Sequence, residues 1–146
     1  MIITEVYQNN SDLFERISKS FKKQSFLSLI GAKVEHVEKG KVTISCERKD
    51  SLLQQQGLLH GGVITTLADV AGGYAALSTM PENSEVLTVE LKINLMRPAN
   101  TKKVIAIGEV IKAGKTLVIV ETTVTDEENK ILAKMISTMF ATDKKA

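Results

Sequence analysis

Apolar side chains recur along this chain in two rhythms. After Ser11-Asp12, which reads as a helix start, Leu13, Phe14, Ile17 and Phe21 return at helical spacing, so a short amphipathic helix is expected to about Gln24. Lys33–Val37 and Lys41–Glu47 then read as strands around the turn Glu38-Lys39-Gly40. In the second strand Val42, Ile44 and Cys46 alternate with polar residues, so one face is buried. After the polar loop 48–56 a stretch from Gly61 to about Met80 is rich in alanine and leucine and free of proline. Its apolar residues, from Val63 to Leu77, cover so wide an arc that the helix they form must be enclosed by other structure. Beyond Pro81 the period becomes two: Leu87, Val89, Leu91, Ile93 and Leu95 alternate with Thr88, Glu90, Lys92 and Asn94. Lys103–Ile111, Thr116–Thr125 and Lys130–Ala141 follow, with turns at Ala113-Gly114 and 126–129. Long strands joined by short turns form an antiparallel sheet.

The expected class is therefore α+β, one long helix against a curved antiparallel sheet. A helical segment over about residues 11–30 precedes it, and with two prolines and no linker residues 1–146 are expected to form one domain. One helix cannot cover both faces of such a sheet, so the open face or edge invites another copy, and a homo-oligomer is expected.

Composition narrows the function classes. A net charge of +2, with Lys and Arg spread along the chain, lacks the concentrated basic face of a nucleic-acid binder. Cys46 is the single cysteine, which removes an internal disulfide and an all-cysteine zinc site, and two distant histidines make no metal site. The expectation is no metal, no nucleic acid and no membrane. Met1–Asn10 has neither a basic start nor a long apolar run, so it is not read as a signal peptide, and a cytoplasmic location is expected.

Candidate chemistry gathers around Gln54 to Gly62. Two glycines at the start of a helix cost stability. They leave the first backbone N–H groups bare, at the positive end of the helix, where an oxyanion can bind. A tight turn that needs glycine for geometry alone explains the pair equally well. Asp69 lies on the same helix among small neighbours, where a carboxylate is a candidate base; an aspartate that only reaches solvent is the plainer reading. Gly61 and Asp69 are eight residues apart, about 12 Å along a helix. A base and an oxyanion donor acting on one carbonyl must both reach it. Asp69 would therefore work with Gly61 of a second chain, across two helices running in opposite directions. His60, at the helix entrance, is read as holding the loop by a hydrogen bond. His36 is read as a surface residue.

The run His60-Gly61-Gly62 followed by Leu67-Ala68-Asp69 resembles the PaaI-like acyl-CoA thioesterases of the hotdog-fold superfamily. Thr88 to Ala99, Gly114-Lys115-Thr116 and the closing Met139-Phe140 fit the same family, so the resemblance covers about Leu29 to Ala141. It implies a hotdog fold, an antiparallel sheet wrapped around one long central helix. It implies hydrolysis of a small acyl-CoA to free acid and CoA, with no cofactor because coenzyme A belongs to the substrate. Asp69 would be general base or nucleophile, the facing Gly61 N–H would polarise the carbonyl, and His60 would support the loop. Family members often carry asparagine where Gln54 stands, to orient the substrate. Thr88 occupies a position that often assists the water, although plain alternation sets it on the polar face with Glu90 and Lys92, away from Asp69. Gly62, Arg97, Gly114 and Lys115 match the region that binds substrate. Dimers pairing into tetramers are the implied assembly. A dehydratase of the same fold would have proline after His60, and none is there. A non-catalytic acyl-CoA binding module is the alternative from another class, and Asp69 favours the enzyme.

Overall fold

The computed structural model describes residues 2–143, with the side chains of residues 11–143. The expectations for Met1–Asn10 rest on side chains outside that set. The chain runs α1 (Ile2–Lys22), α2 (Ser25–Ile30), β1 (Ala32–Glu38), β2 (Lys41–Glu47), a single 3-10 turn (Asp50–Leu52), α3 (Gly61–Leu77), β3 (Ser84–Leu95), β4 (Lys103–Ala113), β5 (Leu117–Asp126) and β6 (Ile131–Asp143). The strands make one sheet in the order β1-β2-β4-β5-β6-β3, antiparallel at every pairing. This is the expected α+β hotdog arrangement, with α3 lying along the concave face.

The core forms where α3 meets that face. Leu67, Ala68, Ala71 and Ala75 are fully buried against Val104, Ala106, Val118, Val120, Val124 and Met139. The approach is closest at Gly108 on β4. A Cβ there would lie 2.5 Å from the Ala71 carbonyl carbon and oxygen and 2.7 Å from Gly72 N, so only glycine admits the helix. The convex face keeps Leu87, Leu117, Ile136 and Phe140 exposed, as one helix over one face requires.

Three boundaries differ from the periodic reading. Nothing between Ile2 and Ser11 breaks a helix, so α1 begins at Ile2 and carries Ser11-Asp12 inside it rather than as a cap. The segment to residue 30 is two helices, because Lys23 and Gln24 close a turn on the carbonyls of Ser20 and Phe21 before α2 begins. At the other end, α3 stops at Leu77 rather than Met80. Ser78 Oγ donates to the Ala75 carbonyl at 2.6 Å and accepts from Gly40 N at 2.7 Å, which ties the helix end to the β1–β2 turn.

The fourth difference changes the site. In the β3–β6 ladder Thr88 pairs with Met139 and Glu90 with Thr138, so Val89 is an extra residue, a β-bulge. The bulge shifts the side-chain parity along β3. Thr88 faces α3 alongside buried Met139, and beyond the bulge Leu91, Ile93 and Leu95 share that face opposite Ser137, Met135 and Ala133. The expectation that Thr88 sits on the polar face with Glu90 and Lys92 is corrected: a strict two-residue period does not survive an inserted residue.

Candidate active site

The loop before α3 sets the helix entrance. Leu53 bridges Leu59, Gln54 N donates to the Leu58 carbonyl at 2.8 Å, and the turn between them needs Gly57 at φ 77°. Arg48 clamps this turn through its guanidinium, 2.9 Å from the Gly57 carbonyl. The amide oxygen of Gln54 accepts from the N–H groups of Gln56 and Leu58 within the same loop. His60 N then donates to the Leu52 carbonyl at 2.9 Å, delivering the chain to the helix start.

His60 is the N-cap of α3. Its Nδ1 accepts from Gly62 N at 2.8 Å, satisfying one of the free donors of the first turn. The N–H of Gly62 is therefore spent, whereas that of Gly61 has no acceptor among the described residues. Of the two glycines, Gly61 alone offers a donor to a ligand. Leu95 of β3 stands over it, with Cδ1 2.8 Å from where a Gly61 Cβ would be. Gly61 shares an open cavity of about 270 Å³ with Gln54, Leu95, Met96 and Arg97.

Asp69 is half-buried, two turns further along α3. Thr88 Oγ1 donates to its Oδ1 at 2.7 Å. The Met139 thioether lies 3.3 Å from the same hydroxyl. One hydroxyl proton serves one acceptor at a time, and the carboxylate is the stronger. Oδ2 has no protein donor among the described residues. Asp69 and Thr88 open onto a cavity of about 390 Å³ whose far wall is Tyr74, Ser20 and Gln24.

A single chain thus holds two half-sites. Asp69 and Thr88 come together at one end of β3, and Gly61, Gln54 and Arg97 at the other. His60 and Gly62 border a third, more apolar hollow against Phe26 and Leu29 of α2. Gly114 and Lys115 sit on the exposed β4–β5 turn, closed by Gly114 N donating to the Leu117 carbonyl at 2.8 Å, and they line neither half-site. His36 is on the surface, 3.5 Å from Glu38. The sequence reading passed over Tyr74, Ser20 and Gln24. The available signal was the one aromatic ring of α3, a phenol among Ala71, Gly72, Gly73, Ala75 and Ala76.

Residues 56–133 match the thioesterase superfamily profile. A protein of Saccharolobus solfataricus that carries an esterase name is 32% identical over 130 residues, covering 88% of this chain and 92% of the relative. The 1,4-dihydroxy-2-naphthoyl-CoA hydrolase of Listeria monocytogenes is 33% identical over 103 residues, covering 70% of this chain and 84% of that enzyme. Among solved structures, a thioesterase family protein from Silicibacter pomeroyi superposes with a TM-score of 0.87 at 32% identity, over 90% of this chain and 99% of the other. The PaaI protein of E. coli shares the fold, with a TM-score of 0.84 at 16% identity over 91% and 95% of the two chains. The chain belongs to the thioesterase superfamily, and thioester hydrolysis is the activity that membership supports. No helix of the described residues is long and apolar enough to cross a membrane.

Proposed function

We propose that this protein hydrolyses a small acyl-coenzyme A to the free acid and CoA, at a site that two chains build together. The observation that carries the proposal is the division of labour along β3. A carboxylate held by Thr88 lies at one end and an unspent N–H at Gly61 lies at the other. β3 is a twelve-residue edge strand, and Val89, Leu91 and Leu95 on it are 62%, 36% and 54% exposed. A long apolar edge is a template for pairing. Antiparallel pairing of two β3 strands about a two-fold axis at Lys92, with Val89 bulged out of the ladder, sets Thr88 of one chain beside Leu95 of the partner subunit. Asp69 then faces Gly61 of the partner subunit.

In that arrangement the thioester carbonyl oxygen accepts from Gly61 N–H of the partner subunit. Asp69 Oδ2 takes a proton as water attacks the carbonyl carbon. The negative charge of the tetrahedral intermediate rests on the same N–H and the positive end of its helix. Collapse breaks the C–S bond, and the proton held by Asp69 passes to the departing CoA sulfur. Thr88 aims the carboxylate, His60 fixes the turn that presents Gly61, and Arg97 lies where the CoA portion would enter. Gln54, its amide oxygen engaged in its own loop, shapes that entrance. The reaction needs no cofactor.

Release of free thiol from a panel of aryl, medium-chain and branched acyl-CoAs tests this, comparing wild type with Asp69→Asn. Turnover of at least one substrate is expected, with a loss of roughly 10²–10⁴ in kcat in the variant, the scale of a positioned acid–base group. Binding of acyl-CoA without any thiol release would replace the enzyme by a binding module. Full activity in Asp69→Asn would remove Asp69 from the chemistry.

A further inference from the structure

The cavity beyond Asp69 is polar at its far wall, and that wall has one proton too many. Tyr74 is 4% exposed, yet its hydroxyl lines the cavity together with Ser20 and Gln24 of the N-terminal helical segment. Gln24 Nε2 donates to the Tyr74 hydroxyl at 2.7 Å, and Ser20 Oγ lies 3.0 Å from the same oxygen. The Ser20 and Tyr74 hydroxyls carry two protons between them. One is used in the bond that joins them, whichever way it runs. The other has no acceptor among the described residues. Ser20 is half-buried and Gln24 exposed, so water reaches that proton, and an occupant that displaces the water must supply the acceptor in its place.

Tyr74 is five residues past Asp69 on α3, roughly 7–8 Å along the axis. An acyl group whose carbonyl is at Asp69 would bring its far end to this wall. Glu85 lies at the rim of the same cavity, near enough to act with burial in raising the Tyr74 phenol above its ordinary range. Lys23 lines the cavity too, so the rim carries one charge of each sign beside the hydroxyls and can accept as well as donate.

Building on the thioesterase reading, we propose that Tyr74, Ser20 and Gln24 form a specificity wall that selects acyl groups carrying a neutral oxygen, a hydroxyl or keto group, at the end remote from the thioester. A plain hydrocarbon tail would displace water from the wall and leave the spare proton unpaired, which disfavours it by about 10-fold or more.

The test pairs hexanoyl-CoA with its ω-hydroxy derivative, whose oxygen is at the required reach. Two quantities are read for each pair: kcat/KM for hydrolysis, and Kd for the matching non-hydrolysable thioether analogues. Wild type should prefer the hydroxylated member of each pair by about 10-fold or more. Tyr74→Phe keeps the ring and its tilted packing, 6.2 Å from Phe21, and releases Ser20 from the rotamer that Tyr74 holds, so that its hydroxyl can swing to a carbonyl of its own helix. It should lower the preference, and the double variant Ser20→Ala/Tyr74→Phe should abolish it, chiefly by raising the hexanoyl values as the unpaired proton is removed. No preference in wild type, or the same preference in both variants, would overturn the proposal. Preferential binding of the hydroxylated analogue, lost in the double variant, with no hydrolysis of either thioester, would uphold the wall and remove the hydrolytic function instead.

Discussion

A carboxylate half-buried on a helix swings among rotamers unless something holds it, and Thr88 holds Asp69 through one 2.7 Å hydrogen bond. If that bond serves positioning, the hydroxyl matters and the methyl does not. Thr88→Val removes the hydroxyl at nearly constant volume and should lower kcat about 10-fold, below the loss for removing the base itself. Thr88→Ser should retain most of the rate. Kinetics of both variants on one acyl-CoA, with thermal melts to establish folding, check this. Equal rates in all three proteins would leave the bond without a catalytic part. Gly61 and Asp69 were legible as residues because a helix start and a helical carboxylate follow from local pattern. The sequence named Gly61 as the donor but gave no reason to prefer it to Gly62, because that depends on the rotamer by which His60 caps Gly62. The Tyr74 wall was not legible: Ser20 and Gln24 meet Tyr74 across 54 and 50 residues of sequence, and no periodicity encodes such contacts.

Between elements, the tightest constraint is the seat of α3 on β4. Gly108→Ala would drive a Cβ to 2.5 Å from backbone atoms of Ala71, which cannot give way as a flexible side-chain tip can. The cost should be at the upper end of ~1–3 kcal/mol for overpacking. Gly73, on the same helix, is the contrast: its Cβ would meet Val86 Cγ1 at 4.0 Å, an ordinary contact. Gly73→Ala should therefore gain about 0.5–1 kcal/mol of helix stability while narrowing the acyl cavity that Gly73 lines. Denaturant titration of both variants separates the two signs. Loops are tied by charge as well. The Glu127 carboxyl on the β5–β6 turn is held down to about 2, first by the Thr101 hydroxyl and then by backbone N–H groups. Its folded pKa lies below its ordinary 4.5, so its contribution to stability is complete above that value and is lost as pH falls toward about 2. Thr101→Val should thus differ most from wild type at neutral pH and least near pH 2, read from unfolding midpoints across the acid range. Strand positions and their antiparallel sense were within reach of the sequence because alternation survives wherever the ladder is regular, whereas the strand order, with β3 beside β6, was not. The β1–β2, β4–β5 and β5–β6 ladders also carry register shifts, but the one that changes the site is the β3 bulge. Val89 fits either register, and the choice is made by Met139 and Asp69 on other elements, which turn Thr88 inward.

At the scale of the whole molecule, the separation of the two half-sites decides what a single copy can do. On the proposed mechanism each active site takes Asp69 from one chain and Gly61 N–H from the other, and this can be tested by mixing two dead proteins. Asp69→Asn removes the base. Gly61→Pro removes the donor with little damage to the helix. Gly61 is the first residue of α3, where proline is tolerated, and His60 before it is already extended at φ −61° and ψ 135°, as a residue preceding proline requires. The displaced neighbour is the mobile end of Leu95. Each variant alone should be inactive. Unfolded, mixed in equal amounts and refolded, they would form mixed dimers in which one site has lost both groups and the other has both intact. Random association makes half the dimers mixed, so about one quarter of wild-type activity should return. Light scattering on the same samples gives the number of copies in the assembly. No recovery from a mixture shown to contain mixed dimers would place base and oxyanion donor in the same chain, and a monomeric mass for the active wild type would do the same. Recovery near one quarter would establish that the exposed β3 edge is half of an active site.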